Sequence, residues 1–140
     1  MWFNRIIVPL LKSPLHGIMS KNAMLITFCG RKSGKTYTIP VNYVDFERYV
    51  LSTSRKDRTW WCNLRDGQQV TLRVAGKKIQ AKSLVFEDID AVRDNLKAIV
   101  RKNSMYARFF NIGLDEKGKP QMSDIANTAK DMVVVRFNLL

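Results

Sequence analysis

Residues 29–36 read CGRKSGKT and put three cations and two glycines into one short stretch. Glycine permits a tight bend, and the bend would gather Arg31, Lys32 and Lys35 around the Ser33 hydroxyl and a set of backbone amides. Phosphate or carboxylate suits such a group, and Arg31 can engage an oxyanion through two hydrogen bonds. The same residues on an isolated hairpin tip would only be solvated, so the neighbouring segments decide. The Gly34-Lys35-Thr36 ending also resembles the phosphate-binding loop of nucleotide hydrolases. That loop needs four residues between its first glycine and the Gly-Lys-Ser/Thr. Here only Arg31, Lys32 and Ser33 separate Gly30 from Gly34. The loop must also open a helix. The segment after Thr36 is instead β-branched and aromatic and contains Pro40, which predicts a strand–turn–strand hairpin with a cationic turn.

Two further segments carry residues fit for binding. Ile39-Pro40-Val41-Asn42-Tyr43 places a proline inside a strand. Proline removes a ladder donor, so the segment reads as an edge or a bulge where backbone can meet a flat heteroaromatic ring. The plain alternative is an ordinary edge strand. Ser52-Thr53-Ser54-Arg55-Lys56 closes the next strand with small hydroxyls followed by cations. If those two strands form a hairpin, the two segments face one another. Trp60 and Trp61 come immediately after, as core or as the wall of a binding site.

The elements that must hold these residues are legible from periodicity. Residues 24–29 form a short apolar strand. Residues 36–45 alternate, with Tyr37, Ile39, Val41 and Tyr43 on one face, and residues 49–54 make a third strand. Residues 59–65 read as a short helix around Trp60, Trp61 and Leu64, closed by Asp66-Gly67. Residues 69–75 and 78–86 pair across a turn at Gly76-Lys77. Ile89, Val92, Leu96, Ile99 and Val100 fall at helical spacing, and residues 103–112 continue helically after a break. Residues 114–129 are polar and turn-rich, and residues 132–139 form a last strand with Val133, Val135 and Phe137 on one face. Strands in hairpin pairs with helices inserted late predict an α+β fold. The expected form is an antiparallel β-barrel of about six strands with peripheral helices, in one domain over residues 1–140.

Bulk composition narrows the partners. The 140 residues carry 24 Lys and Arg against 12 acids, a formal charge of +12, with 46% hydrophobic content. Such a surface attracts anions: nucleic acid, acidic headgroups or a phosphorylated small molecule. The cations are spread over 31–35, 55–58, 77–78 and 101–102, which argues against a nucleic-acid reading stripe. His16 is the only histidine, so a multi-histidine metal site is excluded. Cys29 and Cys62 offer neither zinc spacing nor a disulfide framework, and both are expected as buried thiols in a reducing cytoplasm. Residues 1–13 read as a short amphipathic helix that packs on the domain or attaches to a membrane surface.

LITFCGRKSGKTYTIPVNYV, then ERYVLSTSRK, then WWCNL together resemble the deazaflavin-dependent nitroreductase family. These are split β-barrels related to the flavin-binding pyridoxamine-phosphate-oxidase-like proteins. The most specific elements are the Gly-Arg-Lys-Ser-Gly turn, with Pro40 nine residues after Arg31, and the Trp-aromatic-x-Asn-Leu helix. The resemblance implies an oxidoreductase, a nitroreductase- or quinone-reductase-like flavoprotein using coenzyme F(420), alternatively FMN. It implies that Arg31, Lys32, Ser33 and Lys35 hold the coenzyme's phosphate and acidic tail. Pro40, Val41 and Asn42 would lie along its ring, and Ser52, Ser54 and Arg55 would meet the ring edge and phosphate region. Hydride would pass to a small electron-poor aromatic acceptor such as a quinone or nitroaromatic, with catalytic Tyr106 or Ser54, or water, as the proton source and a homodimer as the assembly. The chain departs from the family pattern in Tyr37, where an arginine is common, and in Phe109, where a second tyrosine is expected. Two rival classes remain: an anion-binding module for nucleic acid or a membrane surface, and a barrel that carries a flavin or deazaflavin without turnover.

Overall fold

The computed structural model describes residues 23–140. The helix expected over residues 1–13, with its membrane alternative, lies outside the described residues. Among those described, seven strands form one antiparallel sheet: β1 (Ala23–Cys29), β2 (Thr36–Asn42), β3 (Val44–Asp45), β4 (Tyr49–Arg55), β5 (Gln69–Val74), β6 (Lys77–Phe86) and β7 (Met132–Leu139). Their order across the sheet is β2-β1-β5-β6-β7-β4-β3. The two edges, β2 and β3, are separated in the chain by Tyr43 alone. A sheet whose opposite borders are joined by a single residue has to curl, and the result is a barrel split between β2 and β4. The expected 36–45 strand therefore exists as two pieces that belong to opposite edges. β4 makes its hairpin with β3, through Val44–Leu51 and Asp45–Val50, and not with β2.

Local chemistry explains the turns. Ala75 and Gly76 both have positive φ, 50° and 81°. This is the mirror-image two-residue turn whose twist matches a hairpin, and it seats Val74 opposite Lys77. A short 3₁₀ helix (Trp60–Leu64) links β4 to β5, and α1 (Ile89–Lys102), α2 (Met105–Phe109) and α3 (Met122–Ala129) lie between β6 and β7. The Asp88 carboxylate accepts from the Ala91 amide at the start of α1, and Arg101 and Lys102 sit in its last turn, which is the charge order a helix dipole favours.

Two cores result. Ile26, Phe28, Val41, Val50, Leu72, Val135 and Phe137 fill the barrel together with Trp61 and Leu64. Leu51, Val134 and Met132, from the other face of β4 and β7, pack against Val92, Leu96, Ile99, Ile125 and Ala129 of the helices. β7 is thus buried on both faces: Val133, Val134 and Val135 are each fully enclosed. The segment expected to be turn-rich ends in α3, whose buried Ile125 and Ala129 supply part of the second core. Neither cysteine is buried as expected: Cys29 is exposed at the last position of β1, where the cationic turn begins, and Cys62 is half-buried in the 3₁₀ helix. No helix among the described residues is long and apolar enough to cross a membrane.

Candidate functional site

The cationic turn is a built structure. The Gly34 amide donates to the Gly30 carbonyl at 2.9 Å, and the Gly30 amide donates to the Lys35 carbonyl at 2.8 Å. Gly34 has φ +69°, a conformation that strains any residue with a Cβ. Ser33 Oγ accepts from the Lys35 amide and meets the Tyr37 hydroxyl, each at 3.2 Å. Tyr37 stacks on Phe28, with ring centroids 5.8 Å apart, and lies directly over Gly30, where a Cβ would come within 2.8 Å of its ring. Tyr37, the departure from the family pattern, therefore braces the turn from the β2 side.

The 3₁₀ helix braces it from the other side. Asn63 Oδ1 accepts from the Arg31 amide at 3.0 Å, while Asn63 Nδ2 donates to the Trp60 carbonyl at 3.1 Å. One residue reads both the turn and its own helix. The Arg31 guanidinium pairs with Asp66 at 3.1 Å on the surface. Lys32 and Lys35 are exposed and have no carboxylate partner among the described residues. Asn63 and Asp66 are not among the expected site residues. Asn63 stands in the WWCNL motif as a helix position, and nothing in the spacing announces a bond thirty-two residues back along the chain.

The same helix reaches β4. Trp60 Nε1 donates to Ser54 Oγ at 3.0 Å, and the Ser54 hydroxyl donates to the Arg55 carbonyl at 3.2 Å. Trp61 Nε1 donates to that same carbonyl at 3.3 Å. Arg55 itself is exposed and paired with Asp57 at 3.0 Å. Turn, helix and the end of β4 therefore form one end of the barrel, joined through Asn63 and Trp60.

A second cluster closes the split at its far end. Ser52 donates to the Asn42 carbonyl at 2.5 Å, and Asn42 Nδ2 donates to Thr53 Oγ1 at 3.0 Å. The Tyr106 hydroxyl donates to the Tyr43 carbonyl at 3.3 Å. Burial raises the Tyr106 phenol above its usual range, and its hydrogen bond with Asn42 acts in the opposite direction. Tyr43 is raised as well, first by burial, then by the negative charge of Asp45 and by Tyr106. Ser52 and Tyr106 are buried, at 0% and 4% exposure, so both are engaged inside the protein. Val41 points into the barrel core. Pro40 stands on the free side of edge strand β2, opposite Leu25, as a proline that donates no ladder bond requires. The sequence-predicted residues thus fall into two groups along the split: Arg31, Lys32, Ser33, Lys35, Ser54 and Arg55 at one end, Asn42, Ser52 and Tyr106 at the other, with Pro40 between.

Comparison with known proteins adds the fold. No protein-family model matches the chain, and no curated protein matches it. Among solved structures, a protein described as a domain-swapped dimer is similar over 98% of this chain and 97% of its own, at 16% identity and a TM-score of 0.56. A reductase dependent on reduced coenzyme F(420) matches at 16% identity and a TM-score of 0.53, covering 84% of this chain and 95% of its own. A FAD-binding protein of Mesorhizobium loti matches at 12% identity and a TM-score of 0.54, covering 91% and 90%. At these identities the likeness is one of fold. The chain is an α+β split β-barrel, the fold that the sequence resemblance implied, and it shares that fold with these structures.

Proposed function

We propose that the protein is an oxidoreductase that binds a phosphorylated tricyclic coenzyme, a deazaflavin of the F(420) type or FMN, along the split between β2 and β4. The observation that carries the reading is the turn. It is a rigid bend, braced by Tyr37 and Asn63, that presents Lys32 and Lys35 at the open end of the split with no counter-charge among the described residues. An acidic tail supplies that counter-charge. The free edge of β2 around Pro40 then borders the ring. When bound, the coenzyme supplies the hydride. The chain supplies the anion grip and the orientation along β2.

Within one chain the split is bordered by β2 on one side and by Trp60 and β4 on the other. A second copy of the chain is the proposed outer wall, in line with a structural neighbour described as a domain-swapped dimer. The direct test is to titrate the purified protein with FMN and with the deazaflavin, following absorbance and fluorescence. Saturable binding of one of them at micromolar concentration is expected, together with reduction of a quinone or nitroaromatic by the reduced complex. Binding of neither overturns the proposal.

A second reading, a coenzyme carrier without turnover, is favoured by the proton donors. Tyr106 donates to the Tyr43 carbonyl and Ser54 to the Arg55 carbonyl, and both side chains are buried. Under the reductase reading, water delivers the proton to the acceptor. Retained coenzyme with no hydride transfer to any acceptor would establish the carrier.

A further inference from the structure

The outer face of the barrel, away from both clusters, carries a second cationic feature. A cavity of about 240 Å³ is lined by Leu25, Thr27, Thr38, Thr71, Arg73 and Lys78. These residues come from four adjacent strands and share one face by register: Thr27 lies opposite Thr38 and Thr71, Leu25 opposite Arg73, and Arg73 opposite Lys78. Among the described residues, no acid lines the cavity.

Two costs are concentrated here. Like charges directly opposed on paired strands destabilise a sheet, and Arg73 and Lys78 are so opposed. The Arg73 Nε is also buried with no hydrogen-bond partner among the described residues, whereas buried donors are satisfied almost everywhere in folded proteins. Among the described residues, neither Arg73 nor Lys78 forms an ion pair with a carboxylate. One occupant removes both costs: an anion seated between the two cations, accepting from Arg73 and from one hydroxyl of the Thr27–Thr38 pair. Thr27 and Thr38 meet at 2.9 Å, with either able to donate outward. The volume is below the range that encloses a drug-sized molecule and suits the end group of one.

We infer that Arg73, Lys78 and the hydroxyl pair of Thr27 and Thr38, flanked by Thr71 in its bond with Gln80, form a second anion-binding site, for a phosphate or carboxylate group of a small molecule. It does not depend on the coenzyme reading above. The group could belong to a separate metabolite or to an extended coenzyme lying across the face, and the chemistry at the site is the same.

The test uses inorganic phosphate as the probe, added to the isotope-labelled full chain at constant ionic strength and followed by nuclear magnetic resonance. Saturable shifts are expected at the amides of Thr27, Thr38, Thr71 and Arg73 and at the Arg73 Nε–H. Lys78→Gln, on an exposed side chain, and Arg73→Gln should each weaken binding about tenfold, while Arg31→Ala leaves it unchanged. Shifts that fail to saturate, that spread evenly over the basic surface, or that persist unaltered in Lys78→Gln overturn the inference. Repeating the titration with FMN present separates the sources. Competition assigns the site to the coenzyme's own phosphate, and independent binding assigns it to a different molecule.

Discussion

Arg31 is both a proposed ligand-holding side chain and half of a surface ion pair with Asp66. Its carboxylate partner competes with any incoming anion. Exposed pairs of this kind are worth about 0–1 kcal/mol, so Asp66→Asn should tighten coenzyme binding by about twofold. Replacing Arg31 and Lys32 together with Ala should weaken it by about tenfold or more, since each charge-assisted hydrogen bond contributes about 1.5–3 kcal/mol. Circular dichroism should show the fold of both variants intact, because these side chains are exposed. Unchanged affinity in the double variant would place the acidic tail elsewhere. Tyr106 is read by pH. Its phenol is raised above the usual 10.0 by burial, so the folded state holds the proton more tightly than the unfolded chain. Its contribution to stability is therefore level below about pH 10 and falls as pH rises through the folded-state value. Tyr106→Phe should cost about 1 kcal/mol at neutral pH through the lost bond to the Tyr43 carbonyl. It should also flatten part of the alkaline decline in urea midpoints, with Tyr43, raised in the same direction, responsible for the remainder.

At the scale of elements, the latch between β2 and β4 is a side-chain device, since these strands share no ladder. Ser52→Ala leaves the Asn42 carbonyl without its donor, and an unsatisfied buried group costs about 1–3 kcal/mol. Hydrogen exchange should quicken along β2 more than along β7 in that variant, and equal change in both would mean that the latch does not hold the edge. Much of this architecture is legible in the sequence. The strands, the helix over α1 and the cationic hairpin come from alternation, from period-3.6 spacing and from the glycines. The parts that stay hidden have a physical cause in each case. Period-two alternation cannot show that residues 36–45 change edges at Tyr43, because the strand pattern runs through without interruption. Val134 looks like an outward residue until α1 and α3 cover it. α3 itself has only eight residues, two of them buried, too few to stand out against a polar stretch. Within the site, the anion-facing residues can be read from charge, but Asn63 cannot, since its partner lies in a different element.

For the molecule as a whole, charge sets the solution behaviour. With a formal net charge of +12, the folded state repels itself at low ionic strength. The thermal midpoint should rise as sodium chloride is added from about 0.01 M to about 0.15 M, over which the Debye length falls from about 30 Å to about 8 Å. A flat response would show that the cations are already neutralised by a bound partner. The sheet order carries a last consequence. β7 follows the other six described strands in the chain, yet it lies between β6 and β4. Until it arrives, the nascent protein owns two separate fragments, a four-stranded ribbon of β2, β1, β5 and β6 and the lone β3–β4 hairpin, each with an unpaired border. Ribosome-bound chains stopped before Met132 should be open to protease and inclined to clump, and closure of the barrel should wait on the emergence of β7.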